Sequence, residues 1–221
     1  MINILFDCPN EQNFISELKP YVKSGSKVVV VAFSYYDDFV FDSASWKKVY
    51  GKGGVCYEET VNSLCPYGIK ENDIYFINFF ERDLKTATQK IKRADVVYFT
   101  GGLPDKMMQR IKIFGIFDAL KKFNGTVMGY SAGAVIQLKR YHLSPDGDYP
   151  AFGYYEGLGY VDGFFMEVHY ENKPEQNESI DKVLAENKNP LYVSPTAGGG
   201  LIVSGGKIIT VGKTYKKTPN S

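Results

Sequence analysis

Five short runs of β-branched and aromatic residues punctuate the first 131 positions: "INILF" at 2–6, "KVVVVAFS" at 27–34, "DIYFINFF" at 73–80, "DVVYFTGG" at 95–102 and "GTVMGYS" at 125–131. They are apolar at consecutive positions, the pattern of parallel strands buried on both faces. Between them, 10–23, 84–93 and 104–122 are expected to serve as crossovers, and "DKMMQRIKIFGIFDALKKF" in the last carries apolar residues at helical spacing. This alternation predicts an α/β fold: a doubly wound, mostly parallel sheet with right-handed crossovers. Past residue 140 the pattern changes. "PDGDYPAFGYYEGLGYVDGFF" is rich in Gly, Tyr and Pro, a helical stretch covers about 174–187, and "PLYVSPTAGGGLIVSGGKIITVGK" reads as short strands joined by glycine turns, with a hairpin at Gly205-Gly206. Residues 214–221 are expected to form a loose tail, and the open segments 35–53 and 143–157 to act as lids. No repeat and no linker interrupts 1–221, so one domain is expected.

Composition narrows the functional classes. With 44% hydrophobic and 23% charged residues, the 221-residue chain is long enough for one sizeable core. Its 26 basic and 25 acidic side chains leave a net charge of +1, which argues against nucleic acid or an anionic membrane as partner. A small neutral or zwitterionic partner fits better, and self-association into a homodimer stays open. The three cysteines, Cys8, Cys56 and Cys65, are odd in number and scattered, which speaks against a disulfide framework. The start has no basic region ahead of a long apolar run, and no segment approaches the roughly 18 apolar residues of a spanning helix. These features together predict a soluble, cytoplasmic protein.

The chemistry concentrates in two glycine-rich turns that follow strands, "FTGGLP" at 99–104 and "GYSAGA" at 129–134. In open parallel sheets ligands bind where the carboxyl ends of strands meet helix starts. The second turn fits G-x-S-x-G, in which a serine sits on a sharp strand-to-helix bend and its neighbours must be small. Ser131 is thus a candidate nucleophile; the alternative is a serine that caps the helix beginning at 132. An attacking serine needs a base, and the chain has only two histidines. His142 sits in "KRYHLSPDG", where the helix after Ser131 is expected to end. His169 follows the strand-like "GYVDGFFMEV" and precedes a polar loop, the favoured position for a catalytic group. The amides of Gly102 and Ala132 are the candidate oxyanion donors.

These pieces together resemble peptidase family S51, the dipeptidase E and cyanophycinase group of the class I glutamine amidotransferase-like superfamily. The resemblance runs through "GGLP", "GYSAGA", "EVHYEN" and "GGGLIVSGGKI" and covers most of the chain. It implies a flavodoxin-like sheet with helices on both faces, an acyl-enzyme on Ser131, His169 as base and then acid, and Gly102 in the oxyanion hole. A small peptide or isopeptide amide is the implied substrate; no cofactor and no metal are required.

The chain departs from the family pattern twice. Where relatives place an acid ahead of the closing apolar strand to orient the histidine, this chain has Ala197. Glu167, Glu171, Asp146, Asp148 and the Thr196 hydroxyl stand as substitutes, with no choice among them. Aspartyl dipeptidases of the group also resemble one another in carrying arginines after the histidine, whereas "YENKPEQNESIDK" offers only Lys173 and Lys182. The leading expectation is a serine-type peptidase. The alternative, motivated by Ala197, is a catalytically weak or inactive member that binds a metabolite or protein in the same cleft. An α/β-hydrolase esterase fits poorly, because only 90 residues follow Ser131 and His169 comes just 38 residues later. A glutamine amidotransferase would carry cysteine where Ser131 stands.

Overall fold

The computed structural model describes residues 1–9 and 11–219. In chain order its elements are β1 (Ile2–Phe6), α1 (Ile15–Leu18), β2 (Val28–Val31), α2 (Ser43–Tyr50), α3 (Val55–Leu64), β3 (Ile74–Ile77), α4 (Leu84–Arg93), β4 (Val96–Phe99), α5 (Pro104–Phe114) and α6 (Phe117–Lys121). The chain continues through β5 (Thr126–Tyr130), α7 (Ala132–Val135), β6 (Arg140–Leu143), β7 (Gly153–Glu156), β8 (Phe165–Tyr170), α8 (Pro174–Glu186), β9 (Leu191–Pro195), β10 (Gly199–Ser204), β11 (Lys207–Gly212) and β12 (Tyr215–Lys217).

Seven strands form one sheet in the order β11-β10-β1-β5-β4-β2-β3. The five from β1 to β3 run parallel, and the hairpin β10–β11 closes the β1 edge antiparallel. This is the mixed, mostly parallel α/β architecture that the consecutive apolar runs predict. Every residue of β2 and β4 is buried, so both faces of the sheet are covered. The predicted hairpin turn is present: Gly205 and Gly206 adopt φ of 56° and 78°, the left-handed pair a two-residue hairpin needs.

Register positions the site. Phe6 lies opposite Tyr130 and Phe99 opposite Gly129, so β1, β5 and β4 end side by side. The residues after those ends, Asp7 and Cys8, Ser131, and Gly101-Gly102, therefore emerge at one edge of the sheet. A second sheet, β12-β9-β8, brings in His169, and a two-stranded sheet, β6-β7, stands beside it.

Three expectations change. The stretch 104–122 is two helices rather than one, because Gly115 takes a left-handed φ of 93° and caps α5. His142 lies in strand β6 rather than at a helix end: α7 spans only four residues, and the chain then pairs Arg140–Leu143 with β7, stacking Tyr141 on Tyr155 with ring centroids 5.6 Å apart. The segment 214–221 is not wholly a loose tail. Tyr215–Lys217 pairs with β9 while Thr214 is buried, its hydroxyl 3.0 Å from that of Ser194; residues 220 and 221 lie outside the described residues. Among the described residues no helix is long and apolar enough to cross a membrane.

Candidate active site

Ser131 follows β5 directly and carries φ 51° and ψ −117°, a conformation non-glycine residues rarely hold. Its amide donates to the Phe6 carbonyl at 2.9 Å, fastening the bend to the end of β1. The bend closes only with glycine inside it. A Cβ on Gly133 would sit 2.2 Å from the Phe99 carbonyl oxygen, so α7 approaches β4 more closely than any side chain allows. Beneath the bend, buried Gln137 donates to the carbonyls of Ile4 and Gly133 at 3.1 and 3.0 Å and accepts from Asn3 at 3.0 Å. The Ser131 hydroxyl makes no capping bond to α7. Instead its Oγ lies 2.8 Å from Nε2 of His169.

His169 reaches Ser131 through a distortion of β8. Pairing with β9 shifts register between Glu167 and Tyr170, and His169 takes φ 53° there. Irregularities of this kind re-aim a side chain out of the pleat. Gln176 of α8 holds the distorted segment, donating to the His169 carbonyl at 2.9 Å and accepting from the Glu171 amide at 2.8 Å. Burial lowers the His169 pKa below the ordinary imidazole value; the charges of Asp7, Glu167, Glu171 and Asp146 oppose that shift, Asp7 most strongly. Burial thus favours the neutral ring, and in the tautomer with its proton on Nδ1 the Nε2 lone pair can accept the hydroxyl proton.

None of the four carboxylates expected as orienters hydrogen-bonds the imidazole. Glu167 is buried with His142, 2.7 Å from its Nε2, and accepts from Ser144 at 2.9 Å. Glu171 pairs with Lys173 at 2.6 Å. Asp146 accepts two backbone amides of its own loop at 2.8 Å, and Asp148 accepts from the Tyr36 hydroxyl at 2.6 Å. Thr196 has its amide on the Tyr170 carbonyl at 3.3 Å, and Ala197 occupies the following turn with φ 55°. Two residues absent from the sequence expectations stand behind His169. Cys8 Sγ lies 3.7 Å from Nδ1. Asp7 is wholly buried; its Oδ1 accepts from the Gly199 amide at 3.2 Å, while Oδ2 has no hydrogen-bond partner. Donor atoms of Asp7, Cys8 and His169 all lie within 4.8 Å of one another. The available signal was positional: "DC" directly follows the first buried strand.

Gly102 and Ala132 both border the cleft beside Ser131. Gly102 has φ 128°, and a Cβ there would meet the Ser34 carbonyl oxygen at 2.2 Å, so the turn is built for glycine. As the first residue of α7, Ala132 has an amide outside the helical ladder. The cleft holds about 690 Å³. Both expected lid segments contribute to its wall through Tyr36 and residues 143–149. Buried Arg110 anchors the first, donating to the carbonyls of Phe33 and Tyr35 at 2.7 Å and to Asp37 at 2.6 Å. The second is tied down where Tyr149 donates to Asp105 at 2.6 Å. Asp146, Asp148, Glu167, Glu171 and Glu175 line this space against a single lysine, Lys173.

The sequence profile of peptidase family S51 matches residues 56–211, a span that includes Gly102, Ser131 and His169. The fold is shared with a candidate peptidase E protein from Listeria monocytogenes EGD-e, at TM-score 0.67 and 19% identity over 96% of this chain and 98% of that one. A peptidase from an acI-B1 Actinobacterium superposes at TM-score 0.57 and 15% identity, over 100% of this chain and 95% of the other. No curated protein gives a significant match.

Proposed function

The chain belongs to peptidase family S51, and within it we propose a serine-type peptidase that cleaves a small peptide or isopeptide amide. One observation carries this reading: the Ser131 hydroxyl sits on a strained bend 2.8 Å from Nε2 of His169. Ser131 Oγ adds to the amide carbonyl while its proton passes to Nε2. The oxyanion faces the amides of Gly102 and Ala132. As the C–N bond breaks, His169 returns the proton to the leaving amine, and a water activated at the same nitrogen hydrolyses the ester on Ser131. Asp7 acts as a positioning residue, its negative charge behind the ring favouring the imidazolium that each half-reaction forms.

The acidic wall sets the preferred substrate. Five carboxylates, of which Glu167 is paired with buried His142, stand against one lysine, itself paired to Glu171, and favour a positively charged amino terminus or basic side chain over an acidic one. A small fluorophosphonate tests the nucleophile. Adduct on Ser131, lost in Ser131→Ala and strongly slowed in His169→Ala, is the expected result; a folded protein that takes no label overturns it. A weak or inactive family member is favoured by one feature, that Nδ1 faces a thiol at 3.7 Å rather than a carboxylate. Saturable ligand binding in this cleft without labelling is what that reading requires.

A further inference from the structure

The pocket behind His169 has the composition of a metal site as well as of a catalytic support. A thiol, a carboxylate and an imidazole nitrogen converge within 4.8 Å of one another. The separation of 3.7 Å between Cys8 Sγ and His169 Nδ1 is long for a strong hydrogen bond. It is close to a tetrahedral edge: bonds of about 2.3 Å to sulfur and about 2.0 Å to nitrogen hold those atoms about 3.5 Å apart. The third member points independently to a ligand. Asp7 is 0% exposed and keeps Oδ2 without a hydrogen-bond partner, and a buried carboxylate oxygen left in that state is costly.

We infer that Asp7, Cys8 and His169 bind a zinc ion through one carboxylate oxygen, Sγ and Nδ1, and that the bound ion switches Ser131 off. One sulfur, one nitrogen and one oxygen suit zinc better than magnesium or calcium, which take oxygen alone. Three protein ligands leave a fourth position for water. Cys8 and Asp7 sit at the fixed end of β1, and His169 is held by Gln176, so closing the set falls to side-chain adjustments alone. The inhibitory chemistry follows from tautomers. In the active form Nδ1 carries the proton and the Nε2 lone pair receives the serine hydroxyl. With the ion on Nδ1, the proton of the neutral ring resides on Nε2, which then donates to Ser131 Oγ and can accept nothing. The thiol proton leaves to solvent, so binding releases one proton and changes no oxidation state.

Metal binding here does not depend on the peptidase reading, whereas inhibition rests on it; the experiment separates the two. Metal-free full-length protein is titrated with Co²⁺, and the thiolate-to-cobalt absorption in the near ultraviolet is read. In parallel, the rate of fluorophosphonate labelling is measured with Zn²⁺ and after chelation. The expected result is a 1:1 charge-transfer band that survives joint replacement of Cys56 and Cys65 by Ala and disappears in Cys8→Ser. Asp7→Asn should weaken it about 10-fold or more. Zn²⁺ should suppress labelling of the wild type reversibly and leave Cys8→Ser at least about 10-fold less sensitive. No band at Cys8 in folded protein overturns the site, and a band with undiminished labelling at saturating Zn²⁺ overturns the switch. A band in protein that never labels supports the site and overturns the peptidase reading instead.

Discussion

Replacing Asp7 by Asn removes one charge and almost nothing else. The amide oxygen of asparagine can still accept from the Gly199 amide, as Oδ1 of Asp7 does at 3.2 Å, so the junction between β1 and β10 keeps its bond. What disappears is a negative charge within 4.8 Å of the ring that, in the proposed mechanism, becomes cationic when Ser131 attacks. At an effective dielectric constant of about 20 this interaction is worth about 3.5 kcal/mol, and at about 40, for a ring facing an open cleft, about half as much. The labelling rate should therefore fall between about 20-fold and about 350-fold. A fluorophosphonate time course on chelator-treated protein, at several pH values, reads the effect. The sign on the pH axis is fixed too. Burial lowers the His169 pKa and Asp7 is the foremost charge raising it, so loss of that charge moves the acidic limb of the profile to lower pH. A purely structural role for Asp7 would lower the rate without moving the limb. Labelling within about threefold of wild type, with an unmoved limb, would refute the role given to Asp7.

Three further outcomes follow from the geometry. Gly133→Ala places a Cβ 2.2 Å from the Phe99 oxygen; it should cost about 1–3 kcal/mol in urea unfolding and reduce labelling about 100-fold, and a stable, fully reactive variant would contradict the tight bend. Gln137→Met strands the Asn3 amide group in the core and should cost about 2–4 kcal/mol, while adding Asn3→Leu should return about 1–2 kcal/mol of it; strict additivity would mean that the two side chains do not act as a pair. Peptide amides with a basic side chain should exceed their acidic counterparts in kcat/KM by about tenfold, with the gap narrowing in about 0.5 M salt; equal values at low salt would remove the role assigned to the acidic wall.

Local signals carried most of the fold and half of the side chains that meet at the candidate site. The five parallel strands are legible because burial leaves them apolar at nearly every position, Asn3 of β1 and Thr126 of β5 being polar exceptions, and β1 coincides with the run at 2–6. Ser131 is legible because its bend demands small residues on both sides within six positions. His169 is legible as the histidine that ends an apolar run. Position 142 misleads because four residues of β6 are too short to show alternation, and its register comes from β7, which begins ten residues later. Cys8 and His169 meet across 161 positions, and nothing in either neighbourhood announces the other. That contact is created by strand order, since only the insertion of β1 between β5 and β10 brings residue 8 behind residue 169.

The same strand order explains how a chain with Ala197 can still place a negative charge behind its histidine. Ala197 stands in the turn that leads into β10, and Gly199 is the first residue of that strand. Asp7 and Gly199 are bonded reciprocally across the β1–β10 junction: the Asp7 amide donates to the Gly199 carbonyl at 3.1 Å, and the Gly199 amide donates to the Asp7 side chain at 3.2 Å. A carboxylate on the turn before β10 and one at the end of β1 thus approach the same space from adjacent strands. The Ser131 amide bonded to Phe6 places Ser131 one residue from that carboxylate along the chain of β1. Restoring an acid by Ala197→Glu in the Asp7→Asn background therefore tests equivalence of the two positions. Recovery of labelling by about tenfold or more over Asp7→Asn alone is expected if the charge, rather than its strand of origin, is what His169 requires. No recovery in a folded double variant would mean that the end of β1 supplies something a charge from the turn cannot.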